Sequence, residues 1–490
     1  VAGAEDHRPL LDCLRFVGAR EPFELEVALK RFVVPEPGLQ IRGKRVVVVG
    51  LGASGVAAAE LCLARGARVV ANDAKPLDSL GPEARALASA GAEVVAGGHA
   101  AARLAEADLV VVSPGVPSFA ELEAASRSGV RVIGEVELAT RALVGSPSTG
   151  APVVAIGGTN GKSTTTSLVG ALLEAHGART FTGGNLGEPL ARHVDDEAWD
   201  AIVLEVSSFQ MERLETFRPR VSVLLNVTED HLDRYPSFDA YARAKGNAFA
   251  RQTPEDAAVV PAADAVCLRE ARRGQARIVT FGPGEEADMR VTDDAILDRA
   301  TGERYLRSAF TLEGGHNALN AAAAIATARE LGVTPATIQR VLASFRGLPH
   351  RMALVAEIGG VRYYDDSKGT NVGAVVTALA GLREARAVLI AGGRDKAGSY
   401  APLVEALRAR GRAAVLIGEA ADAIASAIGD AVPVRRAVTL DEAVRASAAL
   451  AEAGDAVLLS PACSSYDMFR DYKHRGDEFV RSVRALEGVR

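Results

Sequence analysis

Gly157-Gly158-Thr159-Asn160-Gly161-Lys162-Ser163-Thr164 lies between the apolar run Val153 to Ile156 and a segment, Thr165 to His176, that reads as a helix. A glycine-rich turn from a strand into a helix aims several backbone N–H groups at one point, and the positive helix end strengthens their pull on an anion. Lys162 adds a cation, and the hydroxyl after it suits Mg²⁺ held on phosphate oxygens. The general G-x-x-x-x-G-K-[ST] pattern asks for a small residue where Ile156 stands, so the match is incomplete. A plain structural turn nevertheless explains this core poorly. Gly158, Thr159, Asn160, Gly161, Lys162, Ser163 and Thr164 are therefore read as a nucleotide-phosphate cradle in an α/β region.

The rest of the composition narrows the class. A chain of 490 residues is too long for one core and implies two to four domains. A net charge of −6 with no basic run excludes nucleic acid as the main partner. No apolar stretch reaches membrane-spanning length, so no membrane insertion is expected. Cys13, Cys62, Cys267 and Cys463 are scattered without C-x-x-C spacing, which supports neither a disulfide framework nor a zinc site; a cytoplasmic protein is expected. Only eight of the 56 basic residues are lysine, so each lysine is a candidate for a task that needs a compact primary amine. Lys162, Lys245, Lys368 and Lys396 all stand in motif-like surroundings.

Residues 1–40 carry the apolar stretches Leu10 to Val17 and Phe23 to Val34, expected to form one or two amphipathic helices before Pro35-Glu36-Pro37-Gly38. No signal-peptide pattern is read there, and the segment is taken as an extension of unknown role. Beyond it, strands are expected at Arg45–Val49, Ala67–Ala71, Asp108–Ser113, Val130–Ile133, Val153–Ile156, Ala201–Glu205, Val221–Asn226, Val361–Asp365, Ala387–Ala391, Ala413–Ile417 and Ala456–Ser460, alternating with helices. Gly145 to Gly150 reads as a linker and Phe345 to Pro349 as a hinge. The expected architecture is α/β throughout: a Rossmann-like domain over 41–145, a central P-loop ATPase-like domain with a mostly parallel sheet over 146–347, and a Rossmann-like domain over 348–490.

Gly50-Leu51-Gly52-Ala53-Ser54-Gly55 is a complete G-x-G-x-x-G after a strand, with Asp73 closing the next strand. Taken alone it supports an NAD(P)-dependent dehydrogenase, but a UDP-sugar uses the same helix N-terminus. In the second block Glu205 ends a strand beside the phosphate loop, where an acid holds Mg²⁺ or is simply solvated. His231, in Thr228-Glu229-Asp230-His231, reads either as functional or as an ordinary loop histidine, and Lys245 equally as an ordinary surface lysine. Asn317 and Asn320, at i, i+3 spacing, share one helix face and suit an adenine edge. In the third block, polar clusters at Asp365 to Asn371, Gly392 to Lys396 and Ser460 to Phe469 end successive strands and outline a crevice for an anionic ligand.

Leu348-Pro349-His350-Arg351-Met352, Asp366-Ser367-Lys368-Gly369-Thr370-Asn371 and Leu459-Ser460-Pro461-Ala462-Cys463-Ser464-Ser465 complete a pattern that resembles the Mur ligases of bacterial peptidoglycan synthesis, in particular their D-glutamate-adding branch. The likeness covers about residues 41–490. It implies that ATP phosphorylates the carboxylate of UDP-MurNAc-L-alanine and that the amine of D-glutamate attacks the acyl phosphate. It further implies that Lys162 acts on the γ-phosphate, that Ser163 and Glu205 hold one Mg²⁺, and that His231 and a carbamylated Lys245 hold a second. Asn317 and Asn320 would face adenine, and Arg351 and Asp366 would contact phosphate and ribose. Thr370, Lys396, Ser465 and Tyr472 would receive D-glutamate, with Lys368 nearby. Gly52, Ser54, Asp73, Lys75, Ser113, Gly115, Asn185 and Ser207 would line the UDP-sugar site. Ala74 and Lys75, where the family usually has threonine and arginine, and Tyr466 and Tyr472 depart from the pattern. A monomer is expected. The dehydrogenase alternative leaves the phosphate loop and the later clusters without a role.

Overall fold

The structure, a computed structural model, describes residues 38–490 apart from 197, 233, 311–313, 396–397 and 488–490. The helices expected before residue 38 lie outside the described residues. Three sheets follow one another along the chain. The first contains β1 (Arg45–Val49), β2 (Arg68–Asp73), β3 (Glu93–Ala96), β4 (Leu109–Val112) and β5 (Arg131–Gly134). Their order is β3-β2-β1-β4-β5, with every pairing parallel. Val46 to Val49 are buried on both faces, as a central parallel strand covered by helices requires. The chain steps outward on one side of β1 and then returns to its other side. That reversal opens a crevice at the carboxyl ends of β1 and β4.

The second sheet holds β6 (Val153–Gly157), β7 (Thr180–Gly184), β8 (Ala201–Glu205), β9 (Val221–Leu224), β10 (Ala257–Pro261), β11 (Arg277–Gly282), β12 (Met289–Val291), β13 (Ala295–Asp298) and β14 (Arg304–Leu306). In the order β14-β13-β12-β11-β10-β9-β6-β8-β7, β6 stands between β8 and β9, again at a reversal. The third sheet holds β15 (Ala353–Ile358), β16 (Val361–Asp365), β17 (Ala387–Gly392), β18 (Gly411–Ile417), β19 (Val434–Arg436) and β20 (Ala456–Leu459), in the order β15-β16-β20-β17-β18-β19. Pairing is antiparallel at β12–β13, β13–β14 and β15–β16. Of these, β12, β13 and β14 are short and β15 lies at an edge, and none was expected from sequence, whereas β16 falls where a strand was expected at Val361–Asp365.

Packing couples the domains unequally. One apolar cluster runs from Val46, Val136 and Leu138 around the first sheet to Phe181, Ile202, Met211 and Phe217 around the second. The segment Gly145–Gly150, read as a linker, belongs to this joint: Ser148 is buried and its hydroxyl accepts from Trp199 N at 2.9 Å. Glu137 reinforces the joint. Its carboxylate accepts the backbone N–H groups of Glu215, Thr216 and Phe217 at 3.0, 2.9 and 3.1 Å, and Arg141 Nε donates to it at 2.6 Å. The third sheet has clusters of its own, with Leu389, Leu416 and Leu458 on one face and Val388, Val415 and Val457 on the other. Among the described residues no helix is long and apolar enough to cross a membrane.

Candidate active site

Strand register brings the central residues together. In the pairing of β6 with β8, Ile156 stands opposite Glu205, so the carboxylate emerges beside the turn that follows Gly157. Gly158 and Gly161 have φ of +146° and +84°, and a β-carbon on Gly161 would collide with Asn320 Oδ1. The loop is stapled to the end of β9. Asn160 N donates to Asn226 Oδ1 at 2.9 Å, and Asn226 Nδ2 returns to Asn160 O at 3.0 Å. Thr159 Oγ1 accepts from Thr228 N at 3.1 Å and lies 3.1 Å from the Tyr241 hydroxyl.

Lys162, the first residue of the helix Lys162–Ala175, folds back over this turn and donates to the carbonyls of Gly158 and Thr159 at 3.0 and 2.7 Å. Ser163 Oγ donates to Glu205 Oε2, while Glu205 Oε1 accepts from Asn185 Nδ2 at 2.6 Å. Thr164 is buried behind them. A hydroxyl and a carboxylate converging at a phosphate loop are hard oxygen donors of the kind Mg²⁺ takes. Among the described residues no three His, Cys, Asp or Glu side chains cluster as a metal cage.

Lys245 is not a surface lysine. It ends the helix Phe238–Lys245, is 2% exposed, and donates to Gly158 O at 2.7 Å with its nitrogen 4.6 Å from the Tyr241 ring centre. Burial, and then the neighbouring charge of Lys162, drive its ammonium well below the ordinary lysine pKa, against the pull of Asp230 and Glu205. His231 has φ of +56° and its ring packs between Phe209 and Tyr241, at centroid distances of 4.9 and 6.5 Å. Asp230 Oδ2 lies 3.7 Å from His231 Nε2. His231 and Lys245 thus flank the same tyrosine. A buried lysine biased toward the neutral amine is the form that reacts with carbon dioxide, so the surroundings fit a carbamate.

Asn317 and Asn320 do share a face of the helix Gly315–Glu330, with Asn320 Nδ2 donating to Asn317 Oδ1 at 3.3 Å. Arg351 lies between His350 and Met352, whose φ values are +61° and +51°. Burial lowers the Arg351 pKa, and Glu205, Tyr472 and Asp366 pull it back up, so this third-domain guanidinium senses a second-domain carboxylate. Burial raises the Asp366 carboxyl to about 7, opposed by Ser460 Oγ, which donates to it at 2.7 Å. Lys368 Nζ stands 4.1 Å from the Tyr472 ring centre. Thr370 is half-buried and Ser465 buried, whereas Tyr466 is 66% exposed. Lys396 lies outside the described residues.

The first glycine motif is equally constrained. A β-carbon on Gly55 would collide with Gly50 O and lie 2.6 Å from Ser113 Oγ, which itself donates to Gly50 O at 2.6 Å. Asp73 accepts from Leu51 N at 2.8 Å and Lys75 N at 2.9 Å. Gly52 and Gly115 border open space, Ser54 is half-buried, and the Lys75 side chain is exposed. The Ser207 hydroxyl caps the short helix Ser208–Met211, with Gln210 closing a capping box.

Sequence reasoning missed several residues. Asp230 sits beside His231 in a motif already quoted, Asn226 ends the strand expected at Val221–Asn226 and Tyr241 lies four residues before Lys245, but nothing in their spacing marks them. Arg475 is 1% exposed and donates to Ser367 Oγ, Ser367 O and Cys463 O at 3.0, 2.8 and 3.3 Å, tying two strand-end loops together. The signal was an arginine on the same helical stripe as buried Phe479 and Val483, at i+4 and i+8.

Family models for three successive domains match the chain: the Mur ligase MurD-like N-terminal domain at 44–134, the Mur ligase middle domain at 156–328, and the Mur ligase glutamate ligase domain at 350–463. The UDP-N-acetylmuramoylalanine–D-glutamate ligase of Geobacter metallireducens is 45% identical, over 91% of this chain and 99% of that protein. The ligase of the same name from Anaeromyxobacter dehalogenans is 48% identical, over 90% and 98%. Among solved structures, the UDP-N-acetylmuramate-alanine ligase MurC of Thermotoga maritima aligns with a TM-score of 0.57 at 20% identity, over 90% of this chain and 100% of that one. The MurF ligase of the same organism, solved with ADP, aligns with a TM-score of 0.56 at 18% identity, over 94% and 99%. These structural likenesses bear on the fold.

Proposed function

The chain belongs to the Mur ligase family, and on that premise we propose that it joins D-glutamate to UDP-N-acetylmuramoyl-L-alanine in an ATP-dependent reaction. A carboxylate is a poor acylating agent. Its oxygen attacks the γ-phosphorus of ATP, ADP leaves, and an acyl phosphate forms. The D-glutamate nitrogen then attacks the acyl carbon, and the tetrahedral adduct loses phosphate and a proton to give the amide. Phosphoryl transfer asks little covalent chemistry of the protein, which contributes position and positive charge.

In this reading Lys162 leaves its two loop carbonyls for the transferring phosphoryl group, while the N–H groups of Gly158 to Thr164 cradle the phosphates. Mg²⁺ held by Ser163 and Glu205, with a second ion at His231 and Lys245, would screen the phosphate charge. The Lys245 amine would add to carbon dioxide, releasing a proton and becoming a carboxylate-like ligand; its burial supports this. Asn317 and Asn320 would meet adenine, and Arg351 and Asp366 the ribose and phosphates. Thr370, Lys396, Ser465 and Tyr472 would hold D-glutamate, with Lys368 beside them. Gly52, Ser54, Asp73, Lys75, Ser113, Gly115, Asn185 and Ser207 would line the UDP-sugar site. We assign residues 41–145, 146–347 and 348–490 to UDP-sugar, ATP and amino-acid binding, in a cytoplasmic monomer.

The observation that carries the proposal is the pairing, on one phosphate loop, of Ser163 bonded to Glu205 with a buried Lys245 bonded to Gly158 O. A dehydrogenase has no use for that arrangement. The test is isotopic: substrate labelled with ¹⁸O in its carboxylate should deliver one labelled oxygen to inorganic phosphate, only when D-glutamate is present. Phosphate free of label would sink the proposal.

A further inference from the structure

The helix Val372–Gly381 of the third domain begins against the phosphate loop of the second, and Asn371 is the residue at the seam. Its Oδ1 caps its own helix, accepting from Ala374 N at 2.8 Å. Its Nδ2 donates across the seam to Asn160 Oδ1 at 3.1 Å and to Asp230 Oδ2 at 3.3 Å, and Asn160 Nδ2 returns to Asn371 Oδ1 at 3.4 Å. The pair is 211 residues apart in sequence and Asn371 is only 8% exposed. Gly373 permits the approach: a β-carbon there would lie 3.2 Å from Thr228 Oγ1 and 3.4 Å from Asn160 Nδ2. A carboxamide supplies what this seam uses, an oxygen that accepts from Ala374 N and Asn160 Nδ2 and an NH2 that donates to both Asn160 and Asp230.

We propose that Asn371 is a positioning residue for phosphoryl transfer, and this rests on the ligase reading above. Its carboxamide sets the register in which the third domain, carrying Arg351 and Lys368, meets the phosphate loop and Asp230. It touches no reacting atom.

Asn371→Asp keeps a helix-capping oxygen and loses both N–H donors, and Asn371→Ser keeps a capping oxygen on a shorter side chain whose single O–H cannot serve Asn160 Oδ1 and Asp230 Oδ2 together. Both should lower kcat roughly tenfold, as two to three lost hydrogen bonds imply, while KM for the UDP-substrate stays within about twofold. Asn160→Ala combined with Asn371→Ser should be no worse than the poorer single variant, because both remove one shared interaction. Parent-like kcat in both Asn371 variants, or losses that multiply in the double variant, would overturn the proposal. A parent protein that forms no amide would count against the ligase reading instead. The Asn160–Asn371 coupling would then be read from ATP affinity in the parent, Asn160→Ala, Asn371→Ser and the double variant, with independent effects overturning it.

Discussion

Lys245 shows how much one side chain discloses. Its scarcity as a residue type singled it out, and the structure adds what sequence lacks: full burial and a bond to a phosphate-loop carbonyl. Arginine keeps the charge but stays protonated and cannot form the carbamate. Lys245→Arg should therefore fold and lose at least about a hundredfold in kcat, the scale of removing a group that organises transition-state charge. Lys245→Ala should recover part of its turnover with millimolar acetate or formate, which a purely structural lysine would not allow. Equal turnover of the arginine variant, or no rescue of a folded alanine variant, would count against a metal-ligand role. Arg475 is the opposite case: its place on an apolar helical stripe hints at burial, but its partners lie 12 and 108 residues away and no local pattern names them. Arg475→Lys keeps the charge but cannot span Ser367 and Cys463 together. It should cost about 2 kcal/mol of stability, measured by denaturant unfolding, and raise KM for D-glutamate.

Among elements, the helix Glu135–Ala142 has two buried glutamates with opposite electrostatic fates. Glu135 accepts one bond, from Ala191 N at 2.8 Å, and burial pushes its carboxyl to about 7 from an ordinary 4.5. Between those pH values the folded state holds a proton that the unfolded state has released. Stability therefore falls as pH rises through that window and levels above it. Glu135→Gln should remove the fall, and be more stable than the parent at pH 8 by on the order of 3 kcal/mol, with the gap closing below about pH 4.5. Burial also acts to raise Glu137, but Thr216, the backbone N–H groups and Arg141 outweigh it and hold the carboxyl below its usual range. Its contribution is present above the unfolded pKa and lost in acid. Glu137→Gln should cost roughly 3 kcal/mol near pH 7 and progressively less in acid, as for breaking a buried pair. Thermal midpoints of both variants across pH 4–8 check the two signs; parallel curves would refute them. Neither glutamate was legible in sequence, where nothing distinguishes Glu135 and Glu137 from solvent-facing acids. The strands beside it were legible because Val46 to Val49 and Leu109 to Val112 are continuous apolar runs, which only a doubly covered parallel sheet explains.

Across the whole molecule, the order of the three α/β blocks was readable because each carries glycine-rich or polar clusters at its strand ends. How the blocks join was not, since apolar residues look the same whether they face their own sheet or the next. The first two domains share a buried core through Val136, Leu138, Phe181 and Phe217, so separating them would expose apolar surface and uncage Glu137. The third keeps its apolar clusters to itself and meets the second through polar contacts at Asn160, Asp230 and Asn371. Burial of apolar area, not hydrogen bonding, supplies most cooperative coupling between packed units. Calorimetry of the ligand-free protein should therefore resolve two transitions, one for the first two domains together and one for the third. Glu137→Gln should lower the joint transition alone, by about 2–4 °C per kcal/mol lost. ATP with Mg²⁺ should raise both and draw them together if, as proposed, the nucleotide contacts Asn317 and Asn320 of the second domain and Arg351 and Asp366 of the third, since a ligand that binds only the folded units stabilises them. One transition moved as a whole by Glu137→Gln would show that the polar seam couples as strongly as the shared core. Separate melting of the first and second domains would show that the core between them does not act as one.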